Sequence, residues 1–491
     1  MKLFKSRHPY LFALSLIILV ELLSFLAYFY PGIQLYLLAF SLLAIFTLSV
    51  YSLEAGLLVA LVELVIGSKG HLFSAEIFGF PVSLRLMIWA ALLLASLVYF
   101  YRRGFLNTWY TKIKVYKFLP WLGVLVIFIV AALIRGLSLT SSWSLVLVDV
   151  NAWFYLALII PLLLAYTPGD KNQASRVKKY FLLAIIWLSF KTLFLLFVFS
   201  HNFAIVPDVY LWVRRSGIGE ITAMGGGWFR IFIQSQIYLP IALFLVLFPA
   251  IKTGINNRTQ LVRIISLLAL FLAVIIISMS RSFWLALGVS GLIAAIFSWR
   301  LTWSLYIKAL AYILVSSLLA AIMIFVIIKF PLPGNSSDVR FNALSERLEV
   351  NTSEAALASR WALLPNLWQE IKRNPILGQG FGASVSYYSQ DPRVLANNPD
   401  GWYTTYAFEW AYLDIWLKIG ILGTIAFISW LIYLIISLWH YSLSKKSELY
   451  FALAASLLFL MIVNIFTPYL NHPLGLSFLL FSSCFFRKNS L

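Results

Sequence analysis

"YLFALSLIILVELLSFLAYFY", residues 10–30, settles the class of the molecule. One acid, Glu21, interrupts an apolar run of the length that crosses a bilayer as a helix, about 17–25 residues. A helix closes its own backbone hydrogen bonds, so the run can lie in hydrocarbon without stranded polar groups. It ends without a small-residue cleavage pattern and reads as a retained span, not a signal peptide. Comparable runs follow at 33–50, 52–67, 84–101, 119–135, 151–167, 179–199, 236–251, 262–279, 282–298, 304–330, 409–438, 449–467 and 473–486. The chain therefore reads as an all-α, polytopic helical membrane protein with about fourteen transmembrane helices. The composition agrees: 62% of the 491 residues are hydrophobic and 11% charged, against about 45–50% and about 25% in ordinary globular domains.

A net charge of +19 could suggest a nucleic-acid partner. Its distribution says otherwise. Basic clusters at Lys2–Arg7, Arg102–Lys117, Lys171–Lys179, Lys252–Arg263, Lys445–Lys446 and Arg487–Lys488 alternate with basic-poor segments. That is the pattern of cytoplasmic loops under the positive-inside rule. Both termini are then cytoplasmic and no nucleic acid is implied. The lone Cys484 offers neither a disulfide nor a thiolate metal site.

On this topology residues 1–330 are transmembrane helices with an outer loop at 200–235. An exoplasmic lid occupies 331–408, and 409–491 returns to the membrane. Loops of such length are usually functional or disordered. The lid carries helix signals: Asn351, Thr352 or Ser353 as cap, Glu354 in the first turn, and one-sided apolar positions over Ala355–Lys372. Pro365 should kink this helix and Asn374-Pro375 end it.

The outer face gathers Arg214, Arg215, Arg230, Arg281 and Arg360, where orientation gives no reason for arginine. Guanidinium forks bind phosphate oxygens bidentately and stay charged at any working pH. Interfacial snorkelling, or pairing with Glu220, Glu346 or Glu370, is the simpler alternative. "GQGFG", 378–382, lacks the strand and acid of a dinucleotide loop. It reads as a turn in which Gly380 could also offer its N–H to an anion. Tyr406, Glu409 and Tyr412 recur every third residue, as on one helical face. Glu409, expected at the membrane entrance of that helix and partly desolvated, is a candidate base or an arginine's partner. Asp414 and Lys418, four apart, should pair. His472, in "TPYLNHPLG", could be a base, a phosphate ligand or a plain turn histidine. Glu21, Glu54, Glu63, Asp149 and Lys191 suggest interhelix pairing only.

"SRSFWLALGV" (280–289), then "SRWALLPNLWQEIKRNPILGQGFG" (359–382), then "KIGILG" (418–423) resembles the O-antigen ligase and polymerase superfamily. The resemblance covers about residues 210–475, and "NPILGQGFG" is its most specific piece. It implies a GT-C-like helical fold and a multi-pass protein of the cytoplasmic (inner) membrane. It also implies exoplasmic transfer of a glycan from a polyprenyl-diphosphate carrier to an acceptor glycan or lipid, with no metal or other cofactor. Arg281 and Arg215 match the family's arginines acting on the diphosphate. The family's histidine has no counterpart in "YTTYAFEWAYLD" (403–414). Either Glu409 takes the activating role or the chain is a divergent branch with other chemistry. A lipid-linked glycan flippase is the alternative from another class; it should show repeated halves and ionisable groups deep in its spans. A non-catalytic assembly protein is a third reading.

Overall fold

The computed structural model describes residues 9–77, 80–103, 115–139, 142–224, 228–253, 257–297, 303–330, 352–445 and 447–484. Asn351, Glu346 and the terminal basic clusters lie outside them.

Ten helices among the described residues are long and apolar enough to cross a membrane: Pro9–Phe29, Pro31–Tyr51, Leu84–Arg102, Leu119–Leu139, Trp143–Ala165, Lys171–Ser200, Gln234–Lys252, Arg258–Ser278, Trp303–Lys329 and Ala411–Ser444. The other four expected spans are also helical but short, namely Leu53–Ile66, Arg281–Phe297, Glu448–Val463 and Pro473–Ser483. All but Arg281–Phe297 bury most of their residues inside the bundle. A helix wrapped by other helices need not match the hydrocarbon thickness. The expected 151–167 span starts earlier, at Trp143, where Ser142 caps it through a bond from the Leu145 N–H.

Helix starts follow the local sequence. Asp170 accepts from the N–H groups of Asn172 and Gln173, and Asn257 accepts from Gln260. Each satisfies donors that have no partner in a first turn. Between the helices are three antiparallel two-stranded hairpins: β1 (Ser74–Ile77) with β2 (Phe80–Ser83), β3 (Gly219–Ala223) with β4 (Phe229–Ile233), and β5 (Val385–Tyr388) with β6 (Trp402–Thr405).

Helix polarity sorts the loops into two ends. The helix Lys171–Ser200 begins where Arg176 pairs with Glu54 at 2.7 Å and finishes at the β3–β4 side. The helix Tyr238–Thr253 runs back from β4 to Lys252, which pairs with Glu448 at 3.0 Å. All three hairpins thus fall at one end, called here the hairpin end. The lid helix, Thr352–Arg373, lies there too and continues through Pro365. Pro365 is exposed, so the carbonyl it leaves unpaired can be met by water. The real interruption is Gly420, inside Ala411–Lys445, with φ 73° and ψ 173°.

Candidate active site

At the hairpin end, Arg214 and Arg215 form the last turn of the helix Val206–Arg215. Cations are favoured there by the helix dipole. Arg214 is 3.7 Å from Glu220, with both side chains about half exposed. Arg215 is exposed and lies over the Tyr28 ring, 5.6 Å from its centroid. Arg230 stands opposite Thr222 in the β3–β4 hairpin. Its Nε donates to the Ser278 carbonyl at 3.1 Å. Burial lowers its guanidinium from the usual arginine value, with Glu220 and Tyr469 opposing that effect.

Ser278 ends the helix Arg258–Ser278, and Met279 follows in a left-handed conformation, φ 47°. That one residue turns the chain so sharply that Arg281 opens the next helix, Arg281–Phe297, with its side chain exposed. Arg230 therefore braces the turn that presents Arg281. Phe283 continues the link, with ring centroids 6.1 Å from Phe232 and 5.9 Å from Tyr469. Tyr469 accepts the N–H of His472 at 3.2 Å. Arg230, Arg281 and His472 are thus brought to one neighbourhood.

His472 caps the helix Pro473–Ser483, its Nδ1 accepting from the Leu474 N–H at 3.5 Å. Burial, then Arg85, Lys69 and His71 in that order, push its imidazole down to about 3. It is neutral at working pH.

The lid is fastened by its glycine loop. The N–H of Gln379 donates to the Leu417 carbonyl at 2.6 Å and that of Gly380 to Lys418 at 3.1 Å. The N–H of Phe381 reaches Ala132 at 3.2 Å, and that of Gly382 reaches Asp149 Oδ2 at 2.8 Å. The break at Gly420 frees those two helix carbonyls, and the loop occupies them. A Cβ on Gly378 would stand 2.5 Å from the Gly420 nitrogen, so both glycines permit the contact. Gly380 spends its N–H on Lys418, which removes the donor that the anion alternative required.

Below this loop is a buried charge network. Lys418 Nζ is 2.6 Å from both Asp149 and Asp414, each side chain being 5–7% exposed. Asn471 Nδ2 donates to Asp414 at 2.6 Å. The Asp414–Lys418 pair was readable from spacing; Asp149 and Asn471, distant in sequence, were not. The remaining interior acids also pair across helices: Glu21 with Lys191 at 2.5 Å and Glu63 with Arg85 at 3.0 Å.

Glu409 departs from its expected setting. It lies in a bend before the helix that starts at Ala411, so Tyr406, Glu409 and Tyr412 do not share one helical face. Its side chain is 48% exposed and ion-paired with Arg360. Tyr406 is half-buried in the same bend, while the Tyr412 hydroxyl donates to Met461 at 2.8 Å. The nearby Trp361–Trp410 ring contact and the bond from Trp410 Nε1 to the Arg360 carbonyl, 3.1 Å, hold the lid helix against this bend.

Residues 266–428 match the family model described as O-antigen ligase. This match, over about a third of the chain, supports the O-antigen ligase and polymerase superfamily. The match includes Arg281, Arg360, the glycine loop and Glu409; Arg214, Arg215, Arg230 and His472 lie outside it. No curated protein matches the chain. The ten long apolar helices make it a multi-pass membrane protein, and the match supports glycan transfer of the O-antigen ligase or polymerase type in general.

Proposed function

We propose that the protein is an exoplasmic glycan polymerase or ligase of the cytoplasmic (inner) membrane. It moves saccharide units from a polyprenyl-diphosphate carrier to an acceptor glycan or lipid, without a metal or other cofactor. One observation carries this reading: Arg230 braces the turn that exposes Arg281, at the same end as Arg214, Arg215 and the docked lid.

Arg281 and Arg215 stabilise the diphosphate as negative charge builds on its bridging oxygen, and Arg214 and Arg230 support that field. Glu409, positioned by Arg360, takes the proton of the acceptor hydroxyl, whose oxygen attacks the anomeric carbon. Tyr406 borders the acceptor side. The C–O bond to the carrier breaks and the electron pair leaves on the diphosphate. The lid, fixed by Gly380 and its neighbours, limits water that would otherwise hydrolyse the donor. A flippase reading is less well supported, because the carbonyls freed at Gly420 already accept from the N–H groups of the lid loop.

Orientation is tested by cysteines at Asn398 (Asn398→Cys) and Ser444 (Ser444→Cys), each in a Cys484→Ser background. In sealed cells an impermeant thiol reagent should reach only the first. Labelling of Ser444→Cys alone would overturn the exoplasmic reading. Transfer of glycan from a polyprenyl-diphosphate donor in proteoliposomes then tests the activity, and transport without transfer would favour the flippase.

A further inference from the structure

The segment between the helix Leu53–Ile66 and the helix Leu84–Arg103 also reaches the hairpin end. Ser68, at φ 53°, and Gly70, at φ 93°, are both left-handed and fold the chain tightly back. The fold sets Gly70 against Arg85, whose backbone N–H donates to the Gly70 carbonyl at 3.4 Å. Arg85 is held firmly. Its Nε and Nη2 reach the two Glu63 oxygens at 3.0 and 3.1 Å, and Nη2 also donates to the Ser68 carbonyl at 2.8 Å.

This arrangement uses only part of the guanidinium. Nη1 is buried with no hydrogen-bond partner among the described residues, on a side chain 5% exposed. The Tyr155 hydroxyl, an ionisable neighbour of the Arg85–Glu63 pair, is also buried without a partner among them. A buried donor without an acceptor is costly enough to need an explanation. The surroundings supply its sign. His472 has Arg85, Lys69 and His71 as its charged neighbours. Glu63, the acid of the group, already gives both oxygens to Arg85. Lys69 is exposed, and its stem packs beside Gly217, where a Cβ would lie 3.2 Å from Lys69 Cδ. Gly217 follows Arg214 and Arg215 by two residues. Lys69 therefore joins the group to the segment that follows the two arginines.

We propose that Arg85 and Tyr155, with Lys69, His71 and His472 around them, form a second anion subsite that takes a phosphate or diphosphate group. A phosphate group has the acceptors to answer both unpartnered donors, and Lys69 adds a cation beside them. The subsite rests on the proposed function only for its biological source, either the diphosphate of a lipid carrier or a free anion. Its anion is taken by Arg85 and Tyr155, not by Arg281, and His472 borders both groups.

The test uses the purified full-length protein in nanodiscs, with calorimetric titration of inorganic phosphate, inorganic pyrophosphate and a short-chain polyprenyl diphosphate. Tyr155→Phe removes only a hydroxyl without a partner among the described residues, and Lys69→Gln alters an exposed side chain, so both should fold; a thermal midpoint checks this. Each should weaken pyrophosphate binding about tenfold, the size expected for one hydrogen bond or contact to a charged group. Arg281→Lys should retain a pyrophosphate site sensitive to Tyr155→Phe. Wild-type affinity in both subsite variants, or no anion binding by the wild type, overturns the subsite. Polyprenyl diphosphate binding at least tenfold tighter than pyrophosphate supports the subsite with a lipid carrier as source; equal affinities support it with a free anion. If anion binding follows this pattern while glycan transfer is absent, the subsite stands and the proposed function fails.

Discussion

Two sets of charges sit at the same end of the molecule and are treated in opposite ways. In one, Lys418 bridges Asp149 and Asp414, all three are buried, and Asn471 and the Gly382 N–H occupy further carboxylate oxygens. In the other, Arg215 and Arg281 are exposed, and Arg214 has only a partner at 3.7 Å. The first set is closed: each ion meets opposite charge inside protein, and its output is the fixed position of the lid. The second set is open to solvent and to a ligand. A charged residue in either place looks alike in the sequence; the distinction comes from what surrounds it.

The difference can be broken first at its strongest point. Lys418→Met leaves two buried carboxylates without their cation, and removing one partner from a buried pair costs about 3–5 kcal/mol. The variant should unfold at markedly lower temperature in detergent, and adding Asp149→Asn and Asp414→Asn should recover much of the loss. A midpoint equal to wild type would show that the network does not hold the lid.

Glu409 sharpens the contrast, because it pairs with Arg360 yet is 48% exposed, between the two extremes. If it is the base, Glu409→Gln should lower turnover roughly a hundredfold while leaving donor binding and thermal stability near wild type, as general-base loss commonly does. Normal turnover with a lowered midpoint would make the pair a fastener of the lid, and the charge would move to the closed set.

The smallest effect concerns His472. Its folded value, about 3, lies below the ordinary 6.5, so the unfolded chain binds a proton that the folded chain refuses. The contribution to stability is complete above about pH 6.5 and falls by about 1.4 kcal/mol per unit as the pH drops from there toward 3. His472→Asn keeps a good helix cap and removes the titration. Between pH 7 and 5 the wild type should lose up to about 2 kcal/mol more than this variant. Parallel losses would mean that the imidazole is not shielded.

Much of this was legible in the chain. Apolar runs located fourteen helical segments, the Asn374-Pro375 stop marked the end of the lid helix, and a four-residue spacing paired Asp414 with Lys418. These are local signals. What escaped is non-local: three of the four short helices follow from being wrapped by others, which no run of residues records. The glycines of "GQGFG" and "KIGILG" are far apart in sequence and form one contact in space. Asn471 joins Asp414 across 57 positions, and Arg230 braces the Arg281 turn across 48 to Ser278. Glu409 was misplaced because its three-residue spacing with Tyr406 and Tyr412 suits a helix that in fact begins later.

The central claim is that the open arginines bind donor and the closed network holds the fold. Arg281→Lys tests it most directly, read as single-turnover glycan transfer from a polyprenyl-diphosphate donor together with the thermal midpoint. An ammonium keeps the charge but loses the bidentate fork. The account predicts transfer reduced about a hundredfold, the scale of one lost stabilising donor in a transition state, at an unchanged midpoint. Wild-type transfer by the lysine variant would contradict it.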